Sequence, residues 1–131
     1  MRLLLDTHLL LRAATDPLRL STTARHLIDD PDNQVVFSAV SFWELAEKRG
    51  AGREDLHVNA RLLRRGLLDN GYTEFALTSL HVLELESVPL PGAVTADDFD
   101  RLLVAQARSE GLVLLTSDPQ MAAFGDPVRR V

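Results

Sequence analysis

Four short apolar runs, "RLLL" at 2–5, "VVF" at 35–37, "EFAL" at 74–77 and "LVLL" at 112–115, are separated by segments with helical periodicity. A strand, a helix and a second strand in succession read as a βαβ unit, and a chain of such units forms a parallel sheet covered by helices. A weaker fifth run lies at 128–130. The intervening patterns predict helices over 7–14, 21–30, 39–49, 58–69, 79–86, 97–110 and 119–124. Pro, Gly and Asn supply turn chemistry at 15–17, 30–33, 49–55, 69–71 and 89–92. The expectation is an α/β fold of three layers around a mostly parallel sheet of four to five strands. The 131 residues suffice for one domain, 1–131, and leave no room for a second.

Composition removes several kinds of chemistry. With no cysteine there is no disulfide framework, no thiolate nucleophile and no cysteine zinc site. His8, His26, His57 and His81 show no tight ligand spacing. Of the 14 basic residues only Lys48 is a lysine, and no Gly-Lys-Ser/Thr phosphate loop occurs. A net charge of −5 argues against broad electrostatic capture of nucleic acid without excluding it as a substrate. No stretch approaches the ~20 apolar residues of a membrane span, and no signal-peptide pattern precedes the first run, so the cytoplasm is expected.

The acids are placed unevenly. Asp6 closes the first apolar run and Asp118 follows the fourth, and ligands in an open parallel sheet bind beyond the carboxyl ends of its strands. Taken singly, each is explained as a helix N-cap, with Pro119 suited to the first helical position after Asp118. Taken together, they place two carboxylates from opposite ends of the chain on one sheet edge.

The stretch "TADDFDRLL" at 95–103 adds three more. Thr95 and Asp98 fit a capping box, which puts Asp97 and Asp98 in the first turn, where the helix dipole favours negative charge. Counting ~100° per residue from Phe99, Leu103 falls near ~40°, Ala107 near ~80° and Asp100 near ~100°, inside the apolar sector. Arg101 and Arg108, near ~200° and ~180°, mark the wet side. An ionised carboxylate on the buried side requires a hydrogen bond, a counter-charge or a metal. Asp97, near ~160°, is oriented to join it, and Asp98, near ~260°, is not. Periodicity places Glu44 in "SAVSFWELAEKRG" on the polar side of its helix, with Lys48 as an ordinary i,i+4 partner and Ser38 as the cap.

In order and spacing, "LLLDTH", "SAVSFWELAEK", "DDFDRLLVAQA" and "LLTSD" resemble the motif set of the PIN-domain ribonucleases, in particular the VapC-type toxins of prokaryotic toxin–antitoxin pairs. The resemblance implies a three-layer PIN-like fold and a metal-dependent endoribonuclease. Position by position it implies Asp6, Glu44, Asp100 and Asp118 as metal-binding and catalytic acids, with Asp97 and Thr116 supporting them. Relatives of this kind have proline where this chain has Asp98. Carboxylates without histidine or cysteine favour Mg²⁺ or Mn²⁺, as one or two ions. A two-metal site needs no side-chain nucleophile, in keeping with the missing cysteine. Further implications are cleavage of single-stranded or loop RNA to a 5′-phosphate and a 3′-hydroxyl, a small antitoxin that covers the acidic pocket, and a homodimer, for which the helices at 58–69 and 79–86 offer apolar surface. Arg12, Arg49 and Arg101 are candidate RNA phosphate contacts.

Two other readings remain. A receiver-like or phosphatase-like α/β domain also places aspartates at strand ends, but Lys48 is misplaced for that chemistry and Asp6-Thr7-His8 breaks the required acid pair. A PIN-like module without nuclease activity, binding RNA or protein, would carry the same four acids.

Overall fold

Residues 1–50, 58–89 and 97–131 are described by a computed structural model, the side chains of 49 and 50 excepted. Five strands form one all-parallel sheet in the order β3-β2-β1-β4-β5. They are β1 (Arg2–Leu5), β2 (Gln34–Ser38), β3 (Thr73–Phe75), β4 (Val113–Thr116) and β5 (Val128–Arg130). The helices are α1 (Thr7–Thr15), α2 (Thr22–Asp29), α3 (Ala39–Gly50), α4 (Ala60–Asp69), α5 (Ser79–Leu83), α6 (Asp98–Glu110) and α7 (Pro119–Ala122). Among the described residues, no helix is long and apolar enough to cross a membrane.

The continuous apolar runs of the central strands reflect a sheet buried on both faces. Alternate residues of β1 divide between two cores. Leu3 and Leu5 pack with Leu9 and Leu10 of α1, Ala24 of α2, Phe37 of β2 and Leu63 and Leu67 of α4. Leu4 packs on the other face with Val36, Leu103, Val104 and Ala107 of α6, and Met121 of α7. Six consecutive residues of α6, Leu102 to Ala107, are buried. Gly111 then takes a left-handed conformation at φ 66°, which ends α6 and feeds β4.

The elements depart from the sequence expectation mainly at their ends. The helix expected over 79–86 stops at Leu83 and continues as a 3-10 turn, Glu84–Ser87. The Ser87 hydroxyl donates to the Glu84 carbonyl at 2.9 Å, which favours that tighter turn. The strand expected over 74–77 spans Thr73–Phe75, because Gln106 Nε2 donates to the Ala76 carbonyl at 3.2 Å and Thr78 already caps α5. Asn59 caps α4, which therefore starts later than expected. The helix expected over 119–124 ends at Ala122, with Gly125 turning the chain at φ 74°. Ser38 fulfils its expected role, its hydroxyl accepting the Val40 N–H at 3.0 Å.

The start of α6 is also revised. Thr95 lies outside the described residues, and the cap is Asp97, whose carboxylate accepts the Asp100 N–H at 2.9 Å. Asp98 points to solvent, its side chain 89% exposed.

Candidate functional site

The sheet order reverses at β1, which has β2 on one side and β4 on the other. Connections from β1 and β4 leave in opposite directions there, opening a crevice beyond their carboxyl ends. A cavity of about 430 Å³ lies in this region, lined by Asp6, Glu44, Lys48, Asp97, Asp100 and Asp118 together with Thr7, His8, Arg12, Ser117 and Met121. A larger groove of about 770 Å³ runs beside α4, but among the described residues Asp29 is the only ionisable acid or base on its walls besides Tyr72. The convergence of titratable groups therefore favours the smaller cavity as the functional one.

Three of the acids are helix caps as well as cavity walls. Asp6 Oδ1 accepts the Leu9 N–H at 2.8 Å, Asp97 Oδ1 accepts from Asp100, and Asp118 Oδ1 accepts the Gln120 N–H at 2.9 Å. Each cap engages one carboxylate oxygen and aims the other side of the group away from its own helix. The N-termini of α1 and α6 bring the positive ends of their dipoles to the acidic site. Capping and site-building, alternatives when Asp6 and Asp118 are considered singly, are performed by the same side chains.

Second oxygens are organised by hydroxyls. Thr116, buried at the end of β4, donates to Asp6 Oδ2 and accepts the Asp118 N–H at 3.0 Å. Thr7 donates to Glu44 Oε1 at 2.6 Å and lies 3.0 Å from Ser41 Oγ. Lys48 is ion-paired with Glu44 Oε2 and stands 3.3 Å from Asp97 Oδ2. Among the described residues, the Asp100 carboxylate has no hydrogen bond or ion pair, and no three histidine or acidic groups stand close enough to hold a metal ion as placed.

Burial and the charges of neighbouring acids raise the proton affinity of Asp6 and Asp100. Desolvation, followed by the charges of Asp97, Glu44 and Asp6, pushes Asp100 up to about 7, with Lys48 opposing. Asp6 is raised by burial despite the hydrogen bonds from Thr116 and Leu9. Burial alone would lower Lys48, but its hydrogen bond and charge interaction with Glu44, reinforced by Asp97, raise it.

The structure thus brings Asp6, Glu44, Asp97, Asp100 and Asp118 into one cavity, with Thr116 behind Asp6. Arg12 joins them, donating to Ser117 Oγ at 3.2 Å. Arg101 does not line the cavity; its side chain is 27% exposed and lies 3.9 Å from Asp98, so neither the fully wet position nor the site position is realised. The Arg49 side chain lies outside the described residues. Glu44 requires the largest correction to periodicity, since it is only 2% exposed. A wheel assumes one covered face, but α3 is covered on two sides: Val40 and Leu45 enter opposite cores, and Trp43 packs edge-on against Phe99 of α6 at 4.8 Å. Thr7 and Ser41 were not selected from sequence, although Thr7 follows a strand-end acid and Ser41 precedes Glu44 by about one turn.

Residues 3–127 match the family described as PIN domain. The chain belongs to the PIN domain family. Among its relatives is Ribonuclease VapC22 of Mycobacterium tuberculosis, 29% identical over 124 residues, which are 95% of this chain and 92% of that protein. The fold is shared with VapBC2 from Rickettsia felis bound to a promoter DNA fragment, at TM-score 0.69 and 11% identity, covering 99% of this chain and 98% of that one. VapBC-1 from nontypeable Haemophilus influenzae aligns at TM-score 0.65 and 17% identity over 100% and 97% of the two chains. FitAcB from Neisseria gonorrhoeae aligns at TM-score 0.60 and 20% identity over 96% and 95%.

Proposed function

We propose that this chain is a metal-dependent endoribonuclease, the toxin of a type II toxin–antitoxin pair, in which Asp6, Glu44, Asp100 and Asp118 hold one or two Mg²⁺ or Mn²⁺ ions. One observation carries this reading: four acids from the ends of β1 and β4, the middle of α3 and the first turn of α6 face a single cavity. The all-oxygen donor set suits a hard cation, and the Asp100 carboxylate, unpaired among the described residues, suits a cationic partner. When bound, such ions would polarise an RNA phosphodiester and activate water, individually or as a pair.

The chain's own side chains have definable tasks in that reaction. Asp6 and Asp118 are oriented by their caps, and Thr116 couples the two through one hydroxyl. Thr7, itself paired with Ser41, orients Glu44 from behind. Arg12, on the cavity wall, is better placed than Arg101 to contact a backbone phosphate. Asp97 braces the start of α6 and pairs with Lys48 on the cavity wall.

A VapC-like ribonuclease relative and the toxin–antitoxin complexes that share the fold support an antitoxin as partner. Exposed Leu62 on α4 and Leu80, Val82 and Leu83 on α5 support the expectation of a homodimer. The deciding test is RNA cleavage with Mg²⁺ or Mn²⁺, comparing wild type with Asp100→Asn on a panel of structured RNAs. Cleavage by wild type alone is expected; if both leave every RNA intact, the nuclease reading gives way to a binding module.

A further inference from the structure

Lys48, the chain's single lysine, sits one helical turn beyond Glu44 in α3 and reaches into the acidic cavity. Its side chain is 20% exposed, so the ammonium is partly shielded from water. It has two anionic partners from different helices: Glu44 Oε2 on α3 and, at 3.3 Å, Asp97 Oδ2 beside α6.

Oxygen availability makes that placement consequential. Glu44 Oε1 is engaged by Thr7 at 2.6 Å, which leaves Oε2 as the oxygen open to a cation, and Lys48 holds it. At Asp97, Oδ1 caps α6 and Oδ2 faces Lys48. One ammonium thus engages the remaining oxygen of both carboxylates, and among the described residues no three acids enclose a vacant metal position.

We infer that Lys48 is an internal counter-cation, joining Glu44 to Asp97 before metal arrives and yielding Glu44 Oε2 to an incoming divalent ion. Lys48 is a positioning residue that lowers metal affinity and ties α3 to the start of α6 across the cavity. Ligand exchange at Glu44 couples loading to a swing of the lysine toward Asp97 and the cavity opening. The inference rests on the proposed metal-dependent function.

The experiment is Mn²⁺ titration, followed by the electron paramagnetic resonance signal of free Mn²⁺, with thermal unfolding with and without the ion. Lys48→Met is expected to bind Mn²⁺ about tenfold more tightly, a usual size for coupling between competing ligands. Its metal-free form is expected to melt below wild type, with saturating Mn²⁺ closing the gap. Should Lys48→Met fail to fold, Lys48→Arg supplies the opposite arm: a guanidinium grips carboxylates more firmly and is expected to weaken Mn²⁺ binding. Arg12→Gln removes a charge from the same cavity without touching either carboxylate pair, and a smaller gain is expected. Unchanged affinity in both Lys48 variants, or an equal gain in Arg12→Gln, would overturn direct competition while leaving the metal site intact. Absence of Mn²⁺ binding to wild type and variants alike would instead overturn the metal-dependent function beneath it.

Discussion

Thr116 and Asp6, 110 positions apart, share a hydrogen bond in which the threonine hydroxyl donates to Asp6 Oδ2. The same hydroxyl accepts the Asp118 N–H, so one side chain at the end of β4 fixes both strand-end acids. Parallel pairing of β1 with β4 makes this possible by holding Leu5 opposite Leu115, just before the two residues that meet.

Thr116→Val keeps the shape of the side chain and removes both hydrogen bonds. Asp6 is 6% exposed and Thr116 is fully buried, so Asp6 Oδ2 and the Asp118 N–H each lose a buried partner. The expected loss of stability is about 1–3 kcal/mol, measured by urea unfolding without metal. Thr116→Ser is expected to recover most of it. A Val variant within a few tenths of wild type would show that the bond contributes little.

The metal-free protein should lose stability as pH rises from about 4 to about 7. Asp100 has an unfolded value near 3.8 and is pushed up to about 7 when folded, so in this window the folded state binds the extra proton. Stability is greatest where both states are protonated and declines until Asp100 ionises in the fold. Asp6, also raised, contributes in the same direction. Asp100→Asn is therefore expected to show a shallower decline between about pH 4 and about pH 7 in thermal melts, the window set by that shift. An identical slope in the two proteins would count against a strained Asp100.

Legibility differed by residue for physical reasons. Apolar runs and their separation carried the α/β class, because a parallel sheet covered on both faces leaves continuous hydrophobic stretches. Asp100 was visible as a charge inside an apolar sector. Asp6 and Asp118 were visible as a pair, although their cap chemistry alone explains each. Glu44 was hidden, since α6 covers the side of α3 that a single-helix wheel assigns to water; only the ordered motif resemblance selected it. Lys48 was read as its surface partner, and its bridge to Asp97 depends on how α3 meets α6, which no local pattern encodes.

Glu44→Gln separates a buried site residue from one on a wet helix face. The amide keeps the volume and an acceptor for Thr7 but removes the negative charge beside Lys48. A solvated glutamate would change stability by no more than about 0.5 kcal/mol. The buried geometry instead predicts a metal-free loss of about 1–3 kcal/mol, because hydrogen bonds to charged groups are the stronger ones. Chemical denaturation measures this directly. RNA cleavage by the variant should fall with it, even under conditions where the protein remains folded.

Metal loading should release protons below pH about 7 and stabilise the fold in a pH-dependent way. Bound cations require the ionised carboxylate, whereas metal-free Asp100 retains its proton up to about 7. Mn²⁺ is therefore expected to bind more weakly at pH 6 than at pH 8. Calorimetry in buffers of different ionisation enthalpy should detect proton release at the lower pH that fades at the higher. A concentration 100-fold above the dissociation constant corresponds to about 2.7 kcal/mol of stabilisation, enough to raise the melting temperature by several degrees. Asp100→Asn should lose both the proton release and most of the stabilisation. If that variant is stabilised by Mn²⁺ as strongly as wild type, Asp100 is not a ligand, and the ion sits elsewhere.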